Sequence, residues 1–253
     1  MKAYKRFKNV KGKLICRDFV YEVGKSYHMD EIEICKQGFH ACLNPEDTLR
    51  YYSEEDTLAE VEISNYIFQK HQDTKVCAKD MTITRLLNDR EKCQAQAKYI
   101  SQFDNIMKHL DNTEWVDLGL PSGTLWCSHN YNVKSAVDWG EHYTWENALE
   151  LDCNLPTKEQ FQELYANTNS IWIKEGRLFT SKINDNSIFF PAAGFTNGTS
   201  FYYGSLHGDY WSSSFDTSDT NCAHCMFFYS SHVYPSDDCF RYRGFSVRPV
   251  LNK

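Results

Sequence analysis

The sequence predicts a mixed α+β chain with a small β-rich domain, a connecting helix and a second α+β domain. Residues 1–90 contain short apolar runs bounded by Gly, Asn and Asp, which is typical of strands joined by turns. Residues 91–112 carry apolar side chains at helical spacing. Residues 113–253 hold helix-start signals early and strand-like runs late. Because 253 residues exceed one average domain of about 100 to 200 residues, two domains are expected.

The first domain is predicted to contain mainly strands and one helix. Five runs are predicted strands: residues 3–7, 13–19, 32–35, 59–63 and 76–83. The helix is predicted to follow Asn44, whose side chain suits a helix N-terminus. Pro45 suits the first helical turn, and Glu46 and Asp47 favour the positive end of the helix dipole.

The connecting helix is predicted over residues 91–112. Ala95, Tyr99 and Phe103 fall near one helical face, and Gln, Lys and Asp residues fill the other. The polar residues from Asp111 onward are expected to end the helix.

The second domain is predicted to place its helices before most of its strands. Alternating apolar residues on both sides of a Pro-Ser-Gly turn predict a hairpin over 115–126. One helix is expected over about 143–151, and another begins at Thr157, where Gln160 completes a capping box. Short strands are expected after Ile171. The predicted core includes Trp126, Trp139, Trp211, Phe228, Phe245 and Val247.

Five motifs of this second domain occur in a recognisable order. They are VDLGLPSGTLW at 116–126, LPTKE at 155–159, FPAAGF at 190–195, DYWSSS at 209–214 and GFSVRPV at 244–250. This order resembles the bacterial and phage paralogous domains of C-type-lectin-like fold. The resemblance implies a C-type-lectin-like domain over 113–253, a twisted antiparallel sheet with two helices.

Some members of that family are targets of diversity-generating retroelements, in which an error-prone reverse transcriptase mutates template adenines and rewrites the 3′ end of the target gene. An AAC or AAT codon changed only at its adenines never encodes Lys, Glu, Gln, Met or Trp. Residues 201–243 contain no Lys, Glu or Gln, although all three are frequent before residue 200. Met226 and Trp211 are exceptions, and both are expected to be fixed scaffold residues. The resemblance therefore implies that residues 201–243 are hypervariable.

One face of this segment is the predicted ligand-contact surface. In a strand, Cys225, Phe227 and Tyr229 share one face, whereas Met226 and Phe228 share the other, scaffold face. Tyr, Phe and Arg provide contact area, and Asp, His and Ser adjust polarity, as in antibody paratopes. The predicted surface, for a protein or glycan partner, consists of Tyr202, Tyr203, His207, Asp209, Phe215, Asp216, Cys225, Phe227, Tyr229, His232, Tyr234, Asp237, Asp238, Phe240, Tyr242 and Arg243.

Two other interpretations of this domain stay open. Aromatic-rich strands with Ser and Asp turns also occur in ordinary β-rich cores. A lectin-like scaffold also serves as a static adhesin or a phage structural module without any diversification. An adjacent reverse transcriptase gene and template repeat would distinguish the diversified protein from both.

No metal, cofactor or catalytic residue is expected in the second domain. Cys222, Cys225 and Cys239 with His224 and His232 are residue types that bind zinc, but a structural zinc needs fixed positions. The nearby Asp residues suit calcium, yet no lectin carbohydrate motif accompanies them. Sulfatase-activating oxidases share the lectin-like fold, but their catalytic cysteine pair has no counterpart here, and fold alone does not imply function.

The first domain carries weaker resemblances. YEVGKSY at 21–27 and GFHAC at 38–42 resemble an uncharacterised domain of phage and prophage proteins. The same region is faintly similar to the core of ADP-ribosyltransferases. That similarity implies an enzyme with His40, Tyr52 and Glu62 around nicotinamide. Because an ordinary partly buried His40 and solvated Glu residues explain the same sequence, a binding protein is favoured over an enzyme.

Charge and hydropathy exclude several classes of partner. The net charge of −7 disfavours nucleic acid, since phosphate binding relies on clustered Lys and Arg. No signal-peptide core or membrane span is recognisable, so the chain is expected to be cytoplasmic as synthesised, or virion-associated if a phage encodes it. The ten cysteines are expected to be free thiols. The sequence leaves the oligomeric state open.

Overall fold

The computed structural model describes residues 1–68 and 74–252. The chain divides into two compact units, Met1–Asp104 and Asn105–Lys253. Strands account for 45% of the chain and helices for 17%, so the protein is a sheet-rich α+β protein, as the sequence predicts. Within the described ranges, no helix is long and apolar enough to cross a membrane.

The first unit is built around one bent sheet. Its elements are β1 (Lys2–Val10), β2 (Lys13–Cys16), β3 (Phe19–Tyr21), β4 (Ser26–His28), β5 (Phe39–Cys42), a 3-10 helix (Glu46–Arg50), β6 (Thr57–Phe68) and β7 (Lys75–Leu86). Strand β6 lies antiparallel to both β1 and β7, and β5 joins β7 back to β1. This ring of four strands encloses the completely buried side chains of Phe7, Val61, Val76 and Ile83.

Two predicted strands of this unit differ from the structure. The strand predicted over 13–19 is interrupted because Arg17, with a φ of 54°, lies outside the β region. The strand predicted over 32–35 is wrong. Cys35 has a φ of 67°, and the Gln37 amide donates to the Glu33 carbonyl at 2.9 Å, so these residues form a turn.

The helix predicted after Asn44 is present as a single 3-10 segment. The Asn44 side-chain oxygen accepts from the Glu46 amide at 3.1 Å, which satisfies one of the first unpaired N–H groups. The acidic residues Glu46 and Asp47 lie in its first turn, as expected.

The helix predicted over residues 91–112 is present as α1 (Asp89–Asp111). The Asn88 side chain accepts from the Glu91 amide at 3.0 Å, and the Glu91 carboxylate accepts from the Asn88 amide at 2.9 Å, which is a reciprocal N-terminal cap. In the first unit, Ala95 of α1 packs on a small buried cluster. In the second unit, Asp111 accepts from the Ala136 amide at 2.8 Å.

The second unit contains two short helices and four small antiparallel sheets among its described residues. Its elements are β8 (Trp115–Asp117), β9 (Leu125–Cys127), α2 (Trp145–Leu149), α3 (Lys158–Asn167), β10 (Thr168–Trp172), β11 (Gly176–Ser181), β12 (Ser187–Pro191), β13 (Phe195–Asn197), β14 (Ser200–Tyr202), β15 (His207–Phe215), β16 (Cys222–Tyr229), β17 (His232–Phe240) and β18 (Val250–Leu251). The predicted hairpin of β8 and β9 is confirmed, and β18 pairs with β9. The predicted capping box of Thr157 and Gln160 opens α3.

Aromatic side chains form most of the second core. Trp126, Trp211, Phe228 and Phe245 are completely buried and Val247 is 1% exposed, so five of the six predicted core residues are confirmed. The prediction for Trp139 is wrong, because this side chain is only half-buried and stacks on the exposed Phe201 ring.

Candidate ligand-contact surface

Residues 201–243 contain the end of β14 and the whole of β15, β16 and β17. Strand β16 lies between β15 and β17 and pairs antiparallel with both, whereas β14 belongs to a separate sheet with β13. Tyr210 and Met226 face each other in the register of β15 and β16, and both are completely buried. The Met226 and Phe228 face of β16 is therefore buried, as predicted.

Nine of the sixteen predicted contact residues have exposed side chains: Tyr202, Tyr203, Phe215, His232, Tyr234, Asp237, Asp238, Phe240 and Tyr242. Four more are half-buried: His207, Phe227, Tyr229 and Arg243. The remaining three are buried. Accessible side chains thus occupy most, but not all, of the predicted positions.

Seven of these residues form one aromatic cluster: Tyr202, Tyr203, His207, Phe227, Tyr229, His232 and Tyr234. The Tyr203 and His207 rings stack with centroids 4.4 Å apart, and His207 contacts Phe227 at 5.2 Å. Phe227 then stacks on Tyr234 at 5.7 Å. Since each ring contacts the next, the cluster is a continuous surface near the turn between β16 and β17.

A second group of side chains joins this cluster through Phe195, which lies outside the predicted surface. The Phe195 ring stacks on Tyr202 at 5.3 Å, and the Arg243 guanidinium lies 5.1 Å from its centre. Arg243 also lies 5.6 Å from the centre of Phe240, which stacks on Tyr242. The surface is predicted from the lack of Lys, Glu and Gln in residues 201–243. Phe195 precedes this segment, so that pattern does not indicate its role.

Cys225 is the first of three corrections to the predicted surface. Its side chain is completely buried, and its Sγ atom lies 2.6 Å from that of Cys239. Both cysteines belong to a core cluster with Trp211 and Phe245. The alternation along β16 therefore leads to an accessible position only at Phe227 and Tyr229, because both faces of the sheet are covered at Cys225.

Asp209 is the second correction, since its side chain is 5% exposed. One of its carboxylate oxygens, Oδ2, has no hydrogen-bond partner within the described part of the chain. Burial raises the pKa of Asp209 to about 7, while the charge of Arg243 lowers this pKa and that of Asp237 raises it. This carboxyl group therefore lies beneath the surface, and its protonation changes near neutral pH.

Asp216 is the third correction, because its side chain is buried. The neighbouring Phe215 is exposed, but it contacts Trp145 and Arg241 and not the rings of the aromatic cluster. Asp216 is 5% exposed because its carboxylate accepts from the amide and hydroxyl of Ser218, both at 2.7 Å. Phe215 packs against Trp145 with ring centroids 6.1 Å apart, and Arg241 lies over both rings. Asp216 stabilises its own turn rather than facing a ligand.

Side chains outside the segment bind its main chain. The completely buried Arg177 donates through Nη2 to the carbonyls of Tyr229 at 2.8 Å and Ser230 at 3.0 Å. Trp145 Nε1 donates to the Ser212 carbonyl at 2.9 Å. Because carbonyl oxygens remain whatever side chain a codon specifies, these bonds hold the strands independently of much of their sequence.

The cysteine and histidine residues of the segment do not converge on one point. Cys225 and Cys239 contact each other in the core, whereas His224 lies 2.7 Å from Asp238. His232 is exposed beside Tyr229. In the part of the chain that the structure describes, no three His, Cys, Asp or Glu side chains are placed to hold a metal ion.

The nominal catalytic residues of the first unit are separated. His40 and Tyr52 both line a cavity beside β1 and β5. Glu62 is exposed on β6 and is not among the lining residues described. The structure thus brings together two members of the predicted trio and leaves out the carboxylate.

Residues 1–94 match a family described as a domain of unknown function, DUF7666. This match covers the sheet of the first unit and the first residues of α1. Neither the curated proteins nor the solved structures contain a match to the chain.

Proposed function

We propose that this chain is a ligand-binding protein whose second unit is a C-type-lectin-like domain with a retroelement-diversified surface. Its partner is a protein or a glycan, bound by the aromatic cluster and the adjoining Phe240, Tyr242 and Arg243. The antiparallel sheets and the two helices α2 and α3 agree with the fold that the sequence motifs imply.

One observation carries the proposal. Residue types that adenine mutagenesis of an AAC or AAT codon cannot produce occur in 201–243 only at Trp211 and Met226, and both are completely buried. Every exposed position of the segment holds a residue type that such mutagenesis produces. An ordinary surface would include Lys, Glu or Gln, which are among the residues most often exposed.

The geometry also suits a surface that must accept many side chains. Arg177 and Trp145 lie outside the segment and hold it through carbonyl oxygens. Scaffold rings such as Phe228 stack beneath the sheet on Tyr210, with centroids 5.9 Å apart. Rigid aromatic side chains offer large contact area with few rotatable bonds, which favours tight binding.

Sequencing of the DNA around the gene tests the proposal. We expect a reverse transcriptase gene and a template repeat that differs from codons 201–243 only at template adenines. The differences should occur at codons of exposed residues such as Tyr202, Tyr234 and Tyr242, and not at Trp211 or Met226. A gene with neither neighbour would instead favour a static adhesin or a phage structural module.

A further inference from the structure

The first unit contains a cavity that the proposed binding surface does not use. The cavity has a volume of about 510 Å³ and lies beside β1, β2 and β5. This volume is within the range of about 300 to 1,000 Å³ that is usual for small-molecule sites. Its walls combine basic and aromatic side chains.

The charge of the cavity is opposite to that of the chain. Four basic residues, Lys5, Arg17, Lys36 and Lys75, line it, and none of its described lining residues is Asp or Glu. Lys36 is paired with Glu33 at 2.6 Å, so the charge available to a ligand comes from Lys5, Arg17 and Lys75. The whole chain has a net charge of −7. A concave site with charge of one sign concentrates ligands of the opposite sign, so the cavity attracts anions.

Lys5 provides the strongest evidence for an anionic ligand. Its side chain is 4% exposed, and its ammonium group donates to the His40 carbonyl at 2.9 Å and the Tyr52 hydroxyl at 3.1 Å. Both acceptors are neutral. A buried ammonium is costly unless an opposite charge compensates it. No carboxylate does so among the described residues, and burial lowers the pKa of Lys5.

The lowered pKa of His40 is a second indication that this cavity is positively charged. Burial, chiefly, together with the charges of Lys75, Lys5 and Arg17, lowers the pKa of His40 to about 4. The ring nitrogen Nε2 accepts from the Cys35 amide at 2.9 Å. His40 is therefore neutral at pH 7, and the cationic groups around it account for the charge available to a ligand.

Aromatic rings supply the other half of the site. Phe19 and Tyr51 line the cavity with 60% and 43% exposure, and the buried Phe39 lies deeper. The Lys75 ammonium lies 4.2 Å from the centre of the Tyr51 ring. Exposed rings beside cations are suited to a ligand in which a neutral planar ring stacks on them and an attached anionic group contacts the cations.

We propose that this cavity binds a phosphate monoester attached to a planar ring, the class that includes nucleoside monophosphates. The phosphate lies at Lys5 and Lys75, and the ring stacks near Tyr51 and Phe19. A doubly charged phosphate matches several cations better than a single carboxylate does. This site is independent of the ligand-contact surface in the second unit.

Calorimetric titration of the full chain tests the class of ligand. The probes are the four common nucleoside monophosphates and phenyl phosphate, with adenosine and inorganic phosphate as counterparts that lack the charge or the ring. We expect at least one aromatic phosphate to bind about 10-fold or more tightly than both counterparts, as loss of a charge-assisted contact predicts. The absence of binding by all five aromatic phosphates, or equal binding of either counterpart, would overturn the proposal.

Variants test whether the cavity is the site. Lys5→Met keeps most of the length of the unbranched side chain without its charge and should weaken binding by about 10-fold or more. Because Lys5 is buried, the exposed Arg17 gives a second variant, Arg17→Gln, which should weaken binding without disturbing the core. Lys13→Gln is the matched control, since Lys13 is exposed on β2 and is not among the described lining residues. Unchanged affinity in both folded cavity variants would place the phosphate elsewhere and overturn the assignment.

Discussion

Trp211 connects the buried scaffold to the surface built on it. Its ring stacks on Phe245 with centroids 4.2 Å apart, and its Nε1 atom donates to the Tyr143 carbonyl at 2.7 Å. Removing the ring leaves a cavity and removes this hydrogen bond, although the Tyr143 carbonyl still accepts from the Phe245 amide at 2.9 Å. We therefore expect Trp211→Ala to lower the free energy of unfolding by about 3–5 kcal/mol, measured by urea denaturation.

Trp139→Ala is the matched control for this prediction. Trp139 is half-buried and stacks on the exposed Phe201, so its removal leaves space open to water rather than a closed cavity. The loss should be clearly smaller than for Trp211→Ala. Equal losses in the two variants would remove the distinction between core and surface tryptophan.

Asp209 gives the stability a defined dependence on pH. Its pKa rises from an ordinary 3.8 to about 7 in the folded chain, chiefly through burial. Such a group stabilises the folded state below pH 3.8, and this contribution is lost as the pH rises through about 7. At about 1.4 kcal/mol for each pH unit, the full loss is up to about 4 kcal/mol.

Asp209→Asn should therefore be more stable than the native chain at pH 8, by up to about 4 kcal/mol. The gain should shrink as the pH falls toward 4.5, which thermal denaturation at several pH values measures. Asp138→Asn, at an exposed carboxylate, is the control and should show no such trend. A gain that is the same at every pH would contradict the raised pKa.

The exposure of single side chains was predictable only where the residue type and the two-residue alternation along a strand both indicate an accessible position. Tyr234 and Tyr242 are exposed as expected, at 42% and 57%. Asp209 and Cys225 are not, because residues distant in sequence cover them. Phe245 packs in the same cluster as Cys225, and local alternation contains no information about that contact.

The hairpin of β16 and β17, with Tyr242 just after it, should tolerate changes at those tyrosines that lie on its accessible face. Tyr229 is half-buried, whereas Tyr234 and Tyr242 are exposed. Replacing all three by Ser should change the free energy of unfolding by about 1 kcal/mol or less, because exposed positions contribute little to folding. Arg177 still holds the turn through the carbonyls of Tyr229 and Ser230.

The corresponding change on the opposite face is a control for the triple variant. Phe228 is completely buried between β16 and the rings of Phe179 and Tyr210. Phe228→Ser alone should lower the free energy of unfolding more than the triple substitution does. It leaves a cavity in the core and buries a polar hydroxyl group there. Unfolding of the triple variant at the same denaturant concentration as Phe228→Ser would show that the three tyrosines are core residues.

Elements with local signals were predictable from the sequence. The capping box of Thr157 and Gln160 starts α3 as predicted, because both partners lie within four residues. The turn at Cys35 was missed, since a short apolar run gives the same pattern whether or not a strand pairs with it. Phe195 was missed because its place in the surface depends on the pairing of β13 with β14.

At the scale of the whole molecule, two separate cores favour two units that unfold separately. The core around Phe7 and Ile83 lies in the first unit, and the core around Trp211 and Phe245 lies in the second. The chain passes between the units within α1, where Lys98 is exposed. A protease that cuts transiently opened helix turns has access there.

Limited digestion with trypsin should therefore convert the chain into two stable fragments with a boundary inside α1, identified by mass spectrometry. Each fragment keeps its own core, so each should unfold cooperatively when heated alone. Lys98→Gln should slow the appearance of the fragments if the cut lies at this position, and Lys134→Gln, at an exposed residue of the second unit, should not. A single protease-resistant core, or fragments that unfold as soon as they are released, would mean that the two units stabilise each other.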